Sequence, residues 1–309
     1  MGALNEGLPP RGLSDDALLD AVSRAALGYF WDFAHPASGM VRERSAGAFG
    51  YDIARVVTSG GTGFGIMALL VGAARGWLPR AAVAERIAAI AAFLLEAQRH
   101  AGVLPHFMDG ESGRTIPFSP TDDGGDLPET AFLMAGLLAA REAFPERDDI
   151  AERVGLLWRR VRWSAHLRRP DGGLMWHRSV RHPWTPQSLP IRGWNECLIA
   201  FVLAVGADEH GIPPEVYHHS WAAAEEFING NAYYGITLPL GPPMGGPMFL
   251  SHYSFLGLDP NGLVDRYADY GAQVRAHAAI NHAHAVENPG GHAGYGPHCW
   301  GFTPSDSPR

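Results

Sequence analysis

The chain of 309 residues is short of several things, and each scarcity excludes something. Its two cysteines, Cys197 and Cys299, cannot build a disulfide framework, so a reducing compartment is permitted without being required. It lacks long hydrophobic runs: stretches such as GIMALLVGAA at 65–74 are about half the ~20 residues that a membrane span needs, which argues against a membrane partner. It lacks a basic cluster that could track phosphates, and with a net charge of -8 and an isoelectric point near 6.0 it does not suit nucleic acid. Its N-terminus, MGALNEGLPPRGLSDD, is acidic and lacks the charged-then-apolar order of a signal peptide. Location is therefore left open: cytoplasmic as the chain stands, periplasmic or secreted if a leader was removed. Charged residues make up only 18%, while Gly (38) and Pro (24) are frequent and no low-complexity tract is present. That combination, with 46% hydrophobic residues, indicates long structured loops on one packed scaffold.

What is present centres on Thr121–Ala140, TDDGGDLPETAFLMAGLLAA. Asp122, Asp123, Asp126 and Glu129 crowd together just ahead of an apolar helix. Asp126 is a natural N-cap, Glu129 stands three residues on, and Pro128 suits a first turn. Capping uses one or two carboxylates, and this stretch supplies four. On a helix Asp126 and Glu129 share a face, with Asp122 about a turn upstream. Like charges that close need a substrate, a cation or a shared proton to offset their repulsion.

Periodicity predicts helices over 14–33 (stripe Leu18, Val22, Ala25, Tyr29, Phe33), 63–74, 79–98, 126–144, 148–168, from about 192, over 213–227, and over 263–285. GVLPHFMDGESGRTIPFS reads as a hairpin turning at MDGESG. Apolar, small-residue helices begin near residues 63, 126 and 192, intervals of about 63 and 66, and most are followed by an amphipathic helix. Helices apolar all round belong inside and those with a charged stripe outside. Such pairs in a ring make an all-α (α/α)6 toroid with hairpins in its rim loops; an open solenoid is the alternative. Residues 1–309 are expected to form one domain, with 1–13 as a lead-in. The chain holds about four and a half helix pairs, so the ring is expected to be cut short at its C-terminus.

On the expected rim lie Asp122, Asp126 and Glu129, then Glu196 in the first turn of the next inner helix after Trp194 and Asn195. Arg42, Arg44, His106, Trp176, His177, Trp184, His252, Tyr253 and Trp300 occupy nearby loops. Carboxylates, aromatic platforms and a few arginines suit a sugar: rings stack, polar groups pair with hydroxyls, and two carboxyls act as acid and base. TSGGTGFG is no nucleotide loop, because Ile66 replaces the last glycine and no strand is expected before it. The fifteen histidines form no ligand motif, so no metal and no cofactor are expected. Cys197 reads as a small core residue.

YFWDFAHPASGMVRERS, TSGGTGFGIMALLVGAARGW, DDGGDLPETAFLMAGLL, IRGWNECLIAFVLA, YYGITLPLGPPMGGPMFLSHYSFLGLDP, DRYADY and GYGPHCWGFTPSD together resemble the bacterial glucoamylase-like family, in its endo-β-1,2-glucanase branch, glycoside hydrolase family 144. The resemblance covers nearly everything after about residue 25. It implies an (α/α)6 barrel that hydrolyses linear β-1,2-glucan to sophoro-oligosaccharides, and it implicates Asp122, Asp126, Glu129 and Glu196. It also implies a continuation beyond TPSD. Pro297 and His298 depart from the family's usual acid and amide. Glu196 is expected to be the general acid and Asp126 and Glu129 to hold the sugar or relay a proton, with Asp122 supporting. The group is thought to invert configuration, and the general base is left unassigned. The alternatives are a sugar-binding remnant or another toroid enzyme, a lyase or an epimerase. Oligomeric state is left open.

Overall fold

The computed structural model describes residues 11–44, 54–168, 172–181 and 188–302. Trp184 and the TPSD segment lie outside the described residues. The chain is an α/α toroid in which helices carry the core and short antiparallel strands decorate one rim. Helix α1 (Asp15–Asp32) is capped by Ser14, whose side chain accepts from Ala17 N. Strand β1 (Val56–Thr58) runs into α2 (Ser59–Ala74), which is followed by α3 (Arg80–Glu96). The rim hairpin β2 (Phe107–Asp109) and β3 (Thr115–Ile116) pairs with β1 in the order β1-β2-β3. Strand β4 (Gly125–Asp126) leads into α4 (Leu127–Ala143), with α5 (Asp148–Arg160) behind it. Beyond β5 (His177–Arg178), which pairs with β4, come α6 (Leu198–Gly206), the hairpin β6 (Ala232–Tyr233) and β7 (Ile236–Thr237), the single turn α7 (Phe249–His252), and α8 (Tyr270–Glu287).

Helices α2, α4 and α6 form the inner layer, α4 packing between the other two; α3 and α5 pack on each other outside. The small residues of α2 and α4 exist for that contact. A Cβ on Gly63 would lie 2.1 Å from Phe132 O, and one on Gly136 would lie 2.5 Å from Gly63 O, so the two backbones touch. Helix α4 is buried on nearly every side, from Leu127 through Ala140, as a helix apolar all round requires. Among the described residues no helix is long and apolar enough to cross a membrane.

Six expected features differ: α2 starts at Ser59 rather than about 63, strand β1 stands directly before it where no strand was expected, and four further elements change their bounds. The helix expected over 148–168 ends at Arg160, and Trp163–His166 forms a separate 3-10 turn that buries Trp163. The helix expected from about 192 starts at Leu198, because Gly193 holds φ 72° and Asn195 Oδ1 accepts from Cys197 N at 3.0 Å to make a turn instead. Over 213–227 the chain forms only a π turn at Tyr217–Trp221, whose rings join a buried aromatic cluster. Helix α8 starts at Tyr270 rather than 263, capped by Asp269 through Ala272 N at 2.9 Å. The α1 stripe is also displaced: Leu18 and Val22 are exposed, and Leu27 is the buried residue facing α2.

Candidate active site

The segment 104–106 is strapped between the starts of two inner helices. Ser59 N donates to His106 O at 3.1 Å, Ser59 Oγ to Pro105 O at 2.6 Å, and Asp126 N to Leu104 O at 2.9 Å. This strap delivers the His106 ring to the acids of the α4 start. Asp126 caps α4, its Oδ1 accepting from Glu129 N at 3.0 Å, while its Oδ2 lies 3.2 Å from His106 Nδ1. Glu129 Oε1 is 4.0 Å from His106 Nε2. Glu129 Oε2 turns the other way, accepting from Gly60 N at 2.7 Å and from Thr58 Oγ1 at 3.3 Å, at the N-terminus of α2. A ring contact to Phe118 (4.5 Å, stacked) covers one face of His106.

Of the four clustered acids, Asp123 leaves the group. It accepts from Ser179 Oγ at 2.6 Å and Val180 N at 3.0 Å, pairs with Arg181, and so ties the 179–181 loop down. Asp122 stays, buried, with an oxygen close enough to His106 and Asp126 that the three donor atoms lie within 4.8 Å of one another. Burial would lower the His106 pKa, but the carboxylates of Glu129, Asp126 and Asp122 reverse this and hold it at about 9. Burial, with Asp126 beside it, pushes Asp122 up to about 7. Burial also raises Glu129, against the opposing pull of His106. The set is therefore an imidazole ringed by three acids, whose charges favour its protonated form.

Glu196 occupies the turn ahead of α6 rather than its first turn, with its carbonyl accepting from Ser254 Oγ at 2.6 Å. Burial raises its pKa, and the charges of Glu129 and Asp126 add to the rise. Tyr253 bridges the two groups: burial and then the charges of Glu129 and Glu196 raise its hydroxyl pKa, and its ring leans on Phe64 (4.8 Å) and Phe132 (5.9 Å). A cavity of about 320 Å³ opens beside them, lined by Arg42, Thr58, Phe64, Glu129, Phe132 and Tyr253 among others.

The other expected site residues divide. His177 lies opposite Asp126 across the β4–β5 pair, and burial lowers its pKa. Arg42 reaches the cavity with its guanidinium over Phe33 at 4.7 Å, whereas Arg44 pairs with the neighbouring Glu43. Trp194 is not a sugar platform: it is 4% exposed, stacks on Tyr270, and donates through Nε1 to Ser251 Oγ at 3.2 Å. Asn195 is spent on the turn before α6. Trp176 is half-buried against the core. His252 has a buried Nε2 and approaches His277 at 6.4 Å. Trp300 is exposed and lies edge-on to His282. Residue-by-residue reading missed Thr58, Gly60, Phe64 and Phe118. The TSGG stretch was the available signal, since a glycine at a helix start leaves an N–H open to a carboxylate.

The family described as "Putative glucoamylase" matches residues 188–309. A crystal structure from Bacteroides uniformis that carries this description is 44% identical, superposes with a TM-score of 0.90, and is matched over 96% of this chain and 73% of that one. This chain belongs to the glucoamylase-like family. The endo-β-1,2-glucanase from Chitinophaga pinensis in complex with sophorotriose and glucose is 43% identical, with a TM-score of 0.90 over 96% of this chain and 73% of that one. An exo β-1,2-glucooligosaccharide sophorohydrolase (non-reducing end) from Parabacteroides distasonis is 39% identical over 317 residues, 95% of this chain. The chain spans 43% of that relative's length.

Proposed function

We propose that this glucoamylase-like chain is a glycoside hydrolase that cleaves linear β-1,2-glucan to sophoro-oligosaccharides. The observation that supports the reading is the convergence of Asp122, Asp126 and Glu129 on His106, beside an aromatic-walled cavity that Glu129 and Tyr253 line, with Glu196 close enough to feel the charges of Glu129 and Asp126. The substrate class comes from relatives named for β-1,2-glucan. Those names include both endo and exo attack. We take endo attack, the mode of the relative matched over the larger share of its own length.

Glu196 acts as general acid. Burial favours its protonated form, and the charges of Glu129 and Asp126 add to that bias, so it holds a proton for the departing glycosidic oxygen. As the C–O bond breaks, positive charge builds on the sugar ring, and the anionic cluster stabilises it. Tyr253 and Phe64 offer faces for the apolar sides of glucose units, and Arg42 offers donors to their hydroxyls. The water-activating base is left unassigned.

The test is incubation with linear β-1,2-glucan beside β-1,3- and α-1,4-glucans, with products read by chromatography. Sophoro-oligosaccharides from the first substrate alone support the proposal. Binding of the glucan without any product reduces the protein to a carbohydrate-binding module, and turnover of another glucan replaces the substrate.

A further inference from the structure

The carboxylates of this site have an unusual shortage of conventional partners. The chain contains no lysine, and among the described residues the ion pairs to Asp126 and Glu129 come from His106. Among the described residues no arginine fork holds either acid in place. We propose that His106 is a positioning residue: its ring, held between Asp126 and Glu129, compensates the cluster's negative charge and keeps the carboxylates apart so that they meet the sugar in one fixed arrangement. The kinetic part of this proposal rests on the hydrolase reading above; the state of the ring does not.

Three features of geometry support it. Both ring nitrogens face acids, Nδ1 towards Asp126 Oδ2 at 3.2 Å and Nε2 towards Glu129 Oε1 at an ion-pair distance of 4.0 Å, and only the doubly protonated ring presents an N–H to each. The ring cannot turn away, because Phe118 stacks on it at 4.5 Å, Phe107 meets it edge-on at 4.5 Å, and its carbonyl is fixed by Ser59 N. A stacked aromatic face also favours the cationic form. Finally, Glu129 and Asp126 each use their other oxygen on a backbone N–H, of Gly60 and of Glu129 itself, so His106 completes their pairing.

The titratable groups facing the ring are Asp122 from the loop before β4, Asp126 at the α4 cap and Glu129 in the first turn of α4. Glu196, ahead of α6, and His177, across β5, act on or through the same acids. With the cationic neighbour removed, Asp122 loses the charge that opposes burial and repulsion, Glu129 keeps only its Gly60 and Thr58 hydrogen bonds against them, and both take up protons at higher pH.

His106→Asn tests this, because its side-chain amide can still donate to Asp126 while carrying no charge. The acidic limb of the kcat/KM profile for β-1,2-glucan is expected to move up by about one pH unit, a tenfold loss at a fixed pH on that limb, with KM little changed. A raised KM with an unmoved pH limb would instead make His106 an ordinary sugar contact and overturn the proposal. Nitrogen-15 chemical shifts of the wild-type His106 ring supply an arm that needs no substrate and no variant. Both nitrogens are expected to be protonated at pH 7.5, and a neutral ring, or a ring bound to a metal that copurifies, overturns the proposal. Should the wild type fail to cleave β-1,2-glucan while the ring is doubly protonated, the hydrolase reading fails and the charge assignment stands.

Discussion

Gly60 N donates to Glu129 Oε2 at 2.7 Å, and a Cβ at position 60 would lie 2.4 Å from that same oxygen. The first turn of one inner helix therefore grips an acid from the first turn of the next, and only the smallest residue allows the approach. The two helices that touch along Gly63 and Gly136 are thus also locked at the rim, where the acids gather.

Gly60→Ala is expected to fold, since alanine favours the helix, but to push the Glu129 carboxylate off its anchor. We expect kcat to fall by about 10–100-fold while the melting temperature changes little. An unchanged kcat, measured on β-1,2-glucan, would remove Glu129 from the working site.

Glu196→Gln keeps the shape of the side chain and removes its proton. A general acid contributes about 10²–10⁴-fold, so kcat should drop by that order with KM held within a few-fold. Calorimetric titration with sophorotriose checks that binding survives. An active variant would transfer the acid role to Asp122, whose pKa of about 7 makes it the next candidate.

Asp122→Asn should stabilise the protein. Asp122 rises from 3.8 to about 7 in the fold, so the folded state holds a proton that the unfolded chain releases between those values. Stability therefore falls as pH rises from about 4 to about 7 and is flat above, and removal of the charge returns ~2 kcal/mol at pH 8 and almost nothing at pH 4. His106 has the opposite sign: its pKa is raised from 6.5 to about 9, so its contribution is complete below 6.5 and lost as pH rises through 9. Melting curves of both variants across pH 4–9.5 check the two signs.

Asp109 contributes in the other direction. It is buried, pairs with Arg55, and accepts from Ser112 N at 2.8 Å, from Ser112 Oγ at 2.9 Å and from Glu111 N at 3.1 Å in the β2–β3 turn. The Ser112 and Glu111 donors and Arg55 hold its carboxyl well below the usual range, against burial. That stability is present above about pH 4 and lost as pH falls. Asp109→Asn should cost about 1–3 kcal/mol at pH 7 by denaturant unfolding.

Tyr253→Ala and Trp194→Phe separate the platform from the core. The first should raise KM about tenfold by removing an exposed ring beside the cavity. The second should cost about 1–3 kcal/mol of stability, because Ser251 loses a buried partner, and should leave KM alone.

Much of this was legible in the chain itself. Asp126 announced the start of α4 because capping is a local matter: a short acceptor, a proline and an acid at fixed offsets. The inner and outer assignment of α2 to α5 was equally legible, since burial on all sides or on one leaves its mark in composition. The motifs DGGDLPET and GWNECL carried the family. The turn at Gly193–Cys197 was not legible, because IRGWNECLIAFVLA has an acceptable helical pattern and only the positive φ of Gly193 and the Asn195 bond delay the helix. The same holds for Trp194. A tryptophan two residues from an acid suits a sugar platform or a core equally, and only the ring of Tyr270, far along the chain, settles which.

By itself, then, the sequence determined the helix starts, the apolar layers and the surplus of acid, all of which depend on residues within a turn or two of one another. The tertiary structure decided what the surplus does. Asp122, Asp126 and Glu129 converge, while Asp123 is diverted to Ser179, and His106, some twenty residues upstream, arrives between the acids because the strap at 104–106 binds two helix starts at once. Charge compensation of that kind depends on distances in space, which no spacing along the chain encodes.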